Sequence, residues 1–383
     1  MGEVFEFADE RTDKAIIKVF GVGGGGSNTV NQMVAAGIQG VDFICANTDA
    51  QHLERCTAET LVQLGANVTR GLGAGADPMV GRQAAEEDRE RIREAIEGAD
   101  MLFITAGMGG GTGTGAAPVV AEIAREMDLL TLAVVTKPFP FERGRRMEVA
   151  KKGIDELQTY VDSLIVIPNE KLLTVLGKGT TLKEAFKAAN NVLQNAVQGI
   201  SDLITRPGIM NVDFADVRRV MSVQGMAMMG RATAVGENRA REAAEAALSS
   251  PLLDDLNLHG AQGLLVNVTG DENLSIQEFQ IVNEVVAELA AEHAEVIIGT
   301  AMDDSLGDEL CVTVVATGLG RPAAAPKRDS VRLLQRDTGG RVEYDKLDTP
   351  TVIRQAPRQR HDENAAVDMD YLDVPAFLRN QAD

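Results

Sequence analysis

Short apolar runs alternate along the chain with glycine-rich loops and with segments of helical periodicity. The runs are too short to span a membrane and too uniformly apolar for surface strands, a pattern typical of strands buried on both faces of a sheet. In the first half of the chain they occupy residues 15–20, 41–46, 101–106, 129–136 and 163–168. Helical segments follow them, at residues 29–36 and 119–127 among others, so the pattern predicts an α/β protein.

The strongest helical signal lies in the middle of the chain. Apolar residues recur at alternating spacings of four and three from Leu182 to Leu203, after a capping box formed by Thr181 and Glu184. Three heptads in mid-chain are more typical of a core helix than of a coiled coil. We therefore predict a long central helix, followed by a second α/β unit over residues 221–317.

Three glycine-rich loops lie in the first half of the chain, at residues 21–28, 71–78 and 107–115. Glycine has no Cβ, so such a backbone folds tightly and directs several N–H groups at one point. At a helix N-terminus, where the first amides lack partners and the dipole is positive, it forms an anion site. A flexible turn is the alternative, and Pro118 argues against it because proline favours the first turn of a helix. Three such loops in one domain suit a nucleoside di- or triphosphate.

The first loop contains the pattern G-x-G-x-x-G, which by itself predicts a nicotinamide-dependent oxidoreductase. Asp49, however, arrives later in the chain than the acidic residue that holds the ribose in such enzymes. No lysine of the Walker A type follows the first loop or the loop at 107–115. The phosphates must therefore be held by backbone amides and by threonine hydroxyls such as those of Thr112 and Thr114.

The balance of charge limits the classes of ligand and partner. The chain has 383 residues, enough for two domains, and its net charge of −20 argues against a nucleic-acid-binding protein. Residues 321–360 carry +5 and residues 361–383 carry −5, so the body up to residue 320 holds the whole −20. An acidic body that binds an anionic ligand must use amides, a few arginines or a metal ion.

The sequence also carries expectations about compartment. No signal peptide is visible, and no apolar run is long enough to insert into a membrane. The three cysteines, Cys45, Cys56 and Cys311, match no disulfide framework and no metal-ligand spacing. Cys45 and Cys311 lie in apolar runs and are predicted to be buried thiols of a reducing cytoplasm.

The run from Gly107 to Pro118, together with residues 21–28 and 47–51, resembles the FtsZ family, the bacterial tubulin-like cell-division GTPases. The likeness covers about residues 14–318 and reappears at the C-terminus. It implies a tubulin-like architecture, in which a Rossmann-type nucleotide-binding domain and a second α/β domain are joined by the long central helix. The implied divisions are a flexible N-terminus (1–13), a GTP-binding domain (14–178), the central helix (179–206), a C-terminal α/β domain (207–318), a disordered linker (319–367) and a tail peptide (368–383).

The same resemblance implies GTP or GDP as the ligand, together with Mg²⁺, whose protein ligands it does not identify. Glu142 and Arg146 are expected on the sugar side, although arginines placed after a strand serve equally as surface residues. Phe186 and Asn190 are expected to stack on the guanine and to hydrogen-bond its edge, where periodicity alone gives a core phenylalanine and a surface asparagine. The expected phosphate contacts are Gly24, Gly25, Gly26, Ser27, Asn28, Gly111, Thr112 and Gly113.

A loop after the central helix carries Asn211, Asp213 and Asp216. Asp213 and Asp216 are three residues apart and share a face if the segment is helical. From the spacing alone they are an N-cap and an acid of the first helical turn. The resemblance implies that this loop enters the nucleotide site of the neighbouring subunit and completes GTP hydrolysis there. The two roles are compatible, because a capped helix holds its carboxylates rigidly.

The resemblance thus implies a GTPase that polymerises head to tail into the cytokinetic ring, in the cytoplasm at the division site, on the inner face of the membrane. Residues 368–383, with apolar anchors such as Tyr371 and Phe377, are expected to bind membrane-anchoring and regulatory division proteins. Neither nucleic-acid binding nor direct membrane insertion is expected. Two alternatives remain at this point, the oxidoreductase and a tubulin-like scaffold that binds nucleotide without hydrolysing it. Asp213 and Asp216 argue against the scaffold.

Overall fold

The computed structural model describes most of the chain between residues 15 and 319. The described residues are 15–142, 144–177, 179–206, 208–250, 253, 261–289 and 294–319. The predicted N-terminal segment 1–13, residues 320–367 of the predicted linker and the predicted tail peptide 368–383 lie outside the described residues.

Ten strands of the described residues form one sheet in the order β3-β2-β1-β4-β5-β6-β7-β10-β8-β9. Strands β1 to β6 are parallel, β10 is antiparallel to both β7 and β8, and β9 is parallel to β8. The strands are β1 Ile17–Val22, β2 Val41–Asn47, β3 Thr60–Gln63, β4 Met101–Gly107, β5 Leu130–Lys137, β6 Ser163–Pro168, β7 Gly225–Val235, β8 Gly263–Gly270, β9 Glu295–Met302 and β10 Glu309–Leu319.

Helices connect the strands and cover both faces of the sheet. They are α1 Gly23–Ala35, α2 Ala50–Leu53, α3 Ala66–Thr69, α4 Pro78–Glu87, α5 Arg89–Ile96, α6 Thr112–Glu126, α7 Gly144–Leu157, α8 Asn169–Val175, α9 Leu182–Thr205, α10 Phe214–Met221, α11 Arg239–Leu248 and α12 Ile276–Leu289. Short 3-10 helices occupy Pro140–Glu142 and Asp304–Leu306. None of the helices in this part of the chain has the length and apolar character needed to cross a bilayer.

The parallel strands are buried on both faces, as the uniformly apolar runs predict. Val19 of β1 packs into the core formed with α1 and α9, whereas the next residue, Phe20, packs into the core under α4, α6 and α7. A further core lies between α11, α12 and the strands β8 and β10. This three-layer arrangement leaves the two edges of the sheet, where the strands begin and end, for ligand contacts.

The predicted central helix is α9. The hydroxyl of Thr181 accepts a hydrogen bond from the amide of Glu184, and the Glu184 carboxylate accepts one from the amide of Thr181, which is the predicted capping box. Its 24 residues span roughly 36 Å at about 1.5 Å per residue. The sheet continues from β6 to β7 alongside this helix. The domain limits at 178 and 207 therefore stay a prediction.

Two helices begin earlier than the sequence pattern predicts. The segments predicted as helices at 29–36 and 119–127 belong to α1 and α6, which start at Gly23 and Thr112, inside the glycine loops. The prediction that Pro118 marks a first helical turn is wrong, because Pro118 is the seventh residue of α6. Tertiary packing overrides glycine's low helix propensity, since a Cβ on Gly113 would lie 2.6 Å from the Gly107 carbonyl oxygen.

Candidate active site

The first and third glycine loops lie side by side at one edge of the sheet. Each follows the carboxyl end of a strand, and these strands, β1 and β4, are direct parallel neighbours. They are also the strands from which the order 3-2-1-4-5-6 runs in opposite directions, the position where open α/β sheets bind ligands. A Cβ on Gly25 would lie 3.0 Å from the amide nitrogen of Gly107, so the two loops are in backbone contact.

The first turn of α6 directs unpaired amides towards this edge. The amide of Gly115 is the first to donate along the helix, to the carbonyl oxygen of Gly111 at 3.0 Å. The amides of Thr112, Gly113 and Thr114 precede it and have no intrahelical acceptor. The hydroxyl of Thr114 accepts a hydrogen bond of 2.8 Å from the amide of Gly109, which fixes the loop. Together with the positive end of the helix dipole, these amides form an anion site.

The second glycine loop supports the third. A Cβ on Gly111 would lie 2.8 Å from the Cβ of Ala74 and 2.9 Å from the amide nitrogen of Asp77. The carboxylate of Asp77 accepts a hydrogen bond of 2.9 Å from the amide of Met79 and thereby caps α4. Only glycine fits at position 111, because the two loops pack backbone against backbone.

A cavity of about 230 Å³ extends from the glycine loops to the N-terminal half of α9. Its walls combine loop backbone, polar side chains and one aromatic ring, a mixture suited to a nucleoside. The lining residues are Gly25, Asn28, Gly107, Met108, Thr136, Pro138, Glu142, Arg146, Asn169, Phe186, Ala189, Asn190 and Leu193. Both residues expected on the sugar side and both expected at the base therefore line one cavity.

Glu142 and Arg146 are paired at the mouth of this cavity. One carboxylate oxygen of Glu142 lies 2.6 Å from a guanidinium nitrogen of Arg146, and the other accepts a hydrogen bond of 2.9 Å from the amide of Phe139. The Glu142 side chain is 11% exposed and that of Arg146 is 49% exposed. The carboxylate is thus fixed from two sides, which suits a group that accepts hydrogen bonds from ribose hydroxyls.

Phe186 stands beside two further aromatic rings. Its ring meets that of Phe139 edge to face with 5.2 Å between centroids, and Phe139 stacks on Phe141 with 5.0 Å between centroids. Phe139 is buried, whereas Phe186 is 41% exposed. Such edge-to-face contacts are favourable and hold a ring in place, so one face of Phe186 is available for stacking on a base.

Asn169 is a cavity residue that sequence reasoning missed. It is 4% exposed, and its Oδ1 atom has no hydrogen-bond partner among the described residues. A buried, unpaired polar atom costs stability, and such atoms cluster at ligand sites. The signal was available, because Asn169 directly follows the carboxyl end of β6, at the same edge as the glycine loops.

Ser27 does not line the cavity. It is completely buried, and its hydroxyl has no partner in the described part of the chain. Its carbonyl oxygen lies 4.0 Å from the sulfur of Cys45. Burial raises the pKa of the Cys45 thiol to about 12, so this cysteine is an inert core thiol. Of the expected phosphate contacts, Gly25 and Asn28 line the cavity itself, and Gly24, Gly26, Gly111, Thr112 and Gly113 form the adjoining loops.

The acidic residues after α9 begin a helix, as the spacing predicts. Asp213 is the N-cap of α10, yet its side chain accepts no capping hydrogen bond from the described residues. Asp216 lies in the first turn, 3.5 Å from the guanidinium of Arg219. The side chain of Asn211 accepts a hydrogen bond of 2.9 Å from the amide of Gly208. The carboxylate of Asp213 is therefore exposed and uncommitted, whereas Asn211 stabilises the loop.

These acids lie at the opposite edge of the sheet from the glycine loops. The guanidinium of Arg218, on α10, donates a hydrogen bond of 3.0 Å to the carbonyl oxygen of Asp128, two residues before β5 begins. The glycine loops instead follow the carboxyl ends of β1 and β4. Since β5 has 8 residues at about 3.3 Å each, roughly 26 Å separates the two edges. We call the two glycine loops that open α1 and α6 the cradle. One subunit does not bring its own acids to its own cradle.

Two glycine loops that open helices at the switch point of a parallel sheet, without a Walker lysine, are the features of a nucleotide-binding protein of the α/β class. The family model for the Tubulin/FtsZ family, GTPase domain, matches residues 16–177, and that for the FtsZ family, C-terminal domain, matches residues 225–320.

Relatives and solved structures agree with the family models. "Cell division protein FtsZ" of Coxiella burnetii is 58% identical over 98% of this chain and 99% of its own, and the Pseudomonas aeruginosa protein of the same name is 56% identical over 99% and 100%. The structure described as "FtsZ dimer, empty (M. jannaschii)" is 46% identical, with a TM-score of 0.77 over 80% of this chain and 89% of its own. The protofilament structure of CetZ2 from Haloferax volcanii shares the fold at a TM-score of 0.68, 20% identity, and coverage of 80% of this chain and 94% of its own.

The chain belongs to the FtsZ family of the tubulin-like GTPases. The predicted fold class and the predicted function, a GTP-binding and GTP-hydrolysing cell-division protein that forms filaments, are thereby confirmed. Neither the oxidoreductase nor the non-hydrolysing scaffold is favoured.

Proposed function

We propose that each active site of this GTPase is built from two subunits of a head-to-tail filament. The glycine loops of one subunit hold the GTP phosphates, and Asp213 and Asp216 of the next subunit complete the site. The observation that supports this proposal is the placement of the cradle and the acids at opposite edges of one sheet. A contact between unlike edges does not close on itself, so its repetition extends a filament.

The cradle binds the nucleotide largely with backbone groups. The free amides at the N-termini of α1 and α6 receive the phosphate oxygens. Glu142 and Arg146 hold the ribose, and Phe186 stacks on the guanine while Asn169 and Asn190 hydrogen-bond its edge. This division of labour suits a body of net negative charge, because amides attract phosphate without adding full positive charges.

Hydrolysis then needs a positioned water and an acceptor for its proton. The water oxygen attacks the γ-phosphorus, the bond from that phosphorus to the β–γ bridging oxygen breaks, and GDP and inorganic phosphate result. The carboxylate of Asp213 or Asp216 orients the water and takes its proton, which passes on to solvent. The amides of α6 stabilise the charge that develops on the phosphate oxygens.

Mg²⁺ fits this site only as a companion of the nucleotide. The described residues contain no cluster of three His, Cys, Asp or Glu side chains that would hold a metal ion by themselves. Mg²⁺ commonly takes most of its ligands from phosphates and water, with one or two protein oxygens. The Thr112 hydroxyl and the carboxylates of the incoming subunit are the candidate protein ligands, and the ion would neutralise phosphate charge.

We further propose that the protein acts in the cytoplasm at the division site, on the inner face of the membrane. The tail peptide 368–383 would bind membrane-anchoring and regulatory division proteins. Its sequence supports this role, because apolar anchors such as Tyr371, Leu372 and Phe377 are concentrated in a short segment, as in peptides that order on binding a groove.

Dilution tests the shared active site. GTP turnover per subunit is measured by phosphate release over a range of protein concentrations, with polymer followed by light scattering. We expect low turnover in dilute protein and a sharp rise at the concentration where polymer appears. Turnover per subunit that is constant down to concentrations without polymer would contradict a site built from two subunits.

A further inference from the structure

Two polar side chains of α1 contact neighbouring asparagines of α9. The hydroxyl of Thr29 lies 3.3 Å from Oδ1 of Asn190. The side-chain nitrogen Nε2 of Gln32 donates hydrogen bonds to the side-chain oxygens of Asn191 and, at 3.0 Å, Gln194. Asn190 lines the nucleotide cavity, whereas Thr29 is completely buried behind it. Thr29 therefore touches the base-recognition residue from the side away from the ligand.

The hydroxyl of Thr29 has one proton and two oxygen atoms within reach. Besides Asn190, it lies 3.1 Å from the carbonyl oxygen of Gly25, one turn earlier in α1. A single proton cannot serve both contacts. Donation along the shorter one, to Gly25, leaves the hydroxyl oxygen as an acceptor, and an acceptor requires an N–H group opposite it.

The oxygen and the nitrogen of an asparagine side-chain amide have nearly the same shape and opposite hydrogen-bonding character. A half-turn of the Asn190 amide about its last torsion angle places Nδ2 against the Thr29 hydroxyl and Oδ1 in the cavity. Every group of the contact is then satisfied. Asn169 also lines this cavity, but its unpaired Oδ1 is itself buried. In this orientation the Asn190 oxygen is therefore the acceptor that the pocket presents to the base.

We propose that Thr29 is a positioning residue for guanine recognition, which holds the Asn190 amide with its oxygen facing the base. Guanine carries adjacent N1–H and 2-amino donors, which pair with acceptor oxygens. Adenine has an unprotonated N1 and only C2–H beside it, and xanthine has a carbonyl where guanine has the 2-amino group. The other orientation of Asn190, with Nδ2 in the cavity, would present N–H donors, which repel the guanine amine and pair with the xanthine carbonyl. This inference rests on the proposed function, because it takes the cavity to be the base site.

The test compares GTP with XTP, the nucleotide of xanthine, in binding competition and in turnover by the full chain. Thr29→Val keeps the shape of a buried side chain and removes the hydroxyl. The Asn190 amide is then free to turn its Nδ2 into the cavity. We expect the ratio of GTP affinity to XTP affinity to fall by about tenfold, since one hydrogen bond is lost and another gained. Thr29→Ser, which retains the hydroxyl, should restore the wild-type ratio.

Two further variants separate positioning from a structural effect. In Asn190→Asp the side chain ends in two equivalent oxygens and needs no orientation, so adding Thr29→Val should leave the GTP-to-XTP ratio unchanged. Gln32→Leu removes the neighbouring contacts between α1 and α9 without touching Asn190 and should keep the wild-type ratio. Circular dichroism and thermal melting establish that each variant is folded.

The inference is overturned if folded Thr29→Val keeps the wild-type preference, if Thr29→Ser behaves like Thr29→Val, or if the ratio shifts equally in the Asn190→Asp background. Failure of the proposed function would give a different result from any of these. If the proposed function were wrong, the wild-type chain itself would hydrolyse GTP at a rate independent of polymer, whatever its preference among bases.

Discussion

The hydroxyl oxygens of Thr48 and Thr112 lie 2.6 Å apart, in a buried contact between the residue after β2 and the first residue of α6. In the proposed site Thr112 supplies one of the few side-chain groups that contact phosphate, because most of the other contacts are backbone amides. We expect Thr112→Ala to weaken GTP retention or slow turnover by about tenfold or more, the effect of losing one hydrogen bond to a charged group. Nucleotide binding and phosphate release measure both.

Matched variants assign this effect to the hydroxyl. Thr112→Ser keeps the donor and should remain close to wild type. Thr48→Val removes the partner and leaves Thr112 in place, so it should have a smaller effect than Thr112→Ala. If Thr112→Ala showed wild-type GTP affinity together with wild-type turnover, the loop would be structural only.

We expect Asn169 to lower the stability of the nucleotide-free protein and to strengthen its binding of GTP. Its buried Oδ1 has no partner in the described residues, which costs free energy of folding until a ligand pairs with it. We therefore expect Asn169→Leu to raise the melting temperature of nucleotide-free protein while weakening GTP binding. Thermal melting with and without GTP checks both effects, because ligand binding raises the melting temperature by mass action. A variant that loses stability and keeps its GTP shift would remove Asn169 from the base site.

Local pattern predicted β1, β2, β4, β5, β6 and the central helix, because uniformly apolar runs and the Thr181 capping box are signals within one segment. It missed the short strand β3. It failed at the helix starts. Glycine propensity predicts loops at Gly23 and Thr112, whereas the close approach of neighbouring backbones, invisible in one segment, makes helix N-termini there. Asn169 was missed although it directly follows a predicted strand, because the sequence does not show how near β6 lies to the glycine loops in the strand order.

The acidic loop illustrates a second limit of sequence reasoning. Spacing correctly made Asp213 an N-cap, but it could not say whether the carboxylate bonds the helix or stays free. That choice depends on the side-chain rotamer, which packing and neighbouring charges decide. An uncommitted carboxylate at Asp213 is compatible with the proposed contact to a neighbouring subunit, and only the structure shows that it is uncommitted.

The stability of the C-terminal α/β unit should depend on pH through Glu278. Hydrogen bonds of 2.6 and 3.3 Å from the Arg239 guanidinium hold the pKa of this carboxyl below its ordinary value of 4.5. A lowered folded pKa means that the ion pair stabilises the protein above the ordinary pKa. That stabilisation is lost as pH falls through the lowered folded value. Glu278→Gln should therefore cost roughly 1.5–3 kcal/mol near pH 7 and progressively less below about pH 4.

Thermal melting from pH 7 to pH 3 measures this difference. Glutamine can still accept the hydrogen bond of 2.9 Å from the amide of Ser275, so the start of α12 is retained. Glu284→Gln, at an exposed position of the same helix, is the control and should change little at any pH. A destabilisation by Glu278→Gln that is equal at pH 7 and pH 3 would contradict the role of the ion pair.

Removal of residues 368–383 should separate assembly from recruitment. The glycine loops, the cavity and the acidic loop all lie between residues 21 and 216, so the truncated chain should keep its concentration-dependent GTPase activity. We expect it to lose binding to a membrane-anchoring division protein, measured by co-sedimentation with vesicles that carry the anchor. Loss of assembly in the purified truncated protein would show that the tail belongs to the folded body.

The last prediction tests the two-subunit site by complementation. Asp216→Ala keeps an intact cradle and damages the acidic edge, so it should bind GTP normally and hydrolyse it slowly. Thr112→Ala has the reverse defect. In a mixed filament, each Asp216→Ala cradle that meets the acidic edge of a Thr112→Ala subunit forms an undamaged site. Random copolymerisation of equal amounts makes about a quarter of the interfaces undamaged, so the mixture should exceed the sum of the separate activities.

A mixture with both defects on one edge provides the control. Asp213→Ala and Asp216→Ala both damage the acidic edge, so no pairing of these subunits creates an undamaged site and their activities should only add. Co-sedimentation of differently labelled variants establishes that mixed filaments form. Given mixed filaments, strict additivity for Asp216→Ala with Thr112→Ala would mean that each subunit hydrolyses its GTP with its own residues. The two edges would then have to come together within one chain, although the rigid strands between them hold them roughly 26 Å apart.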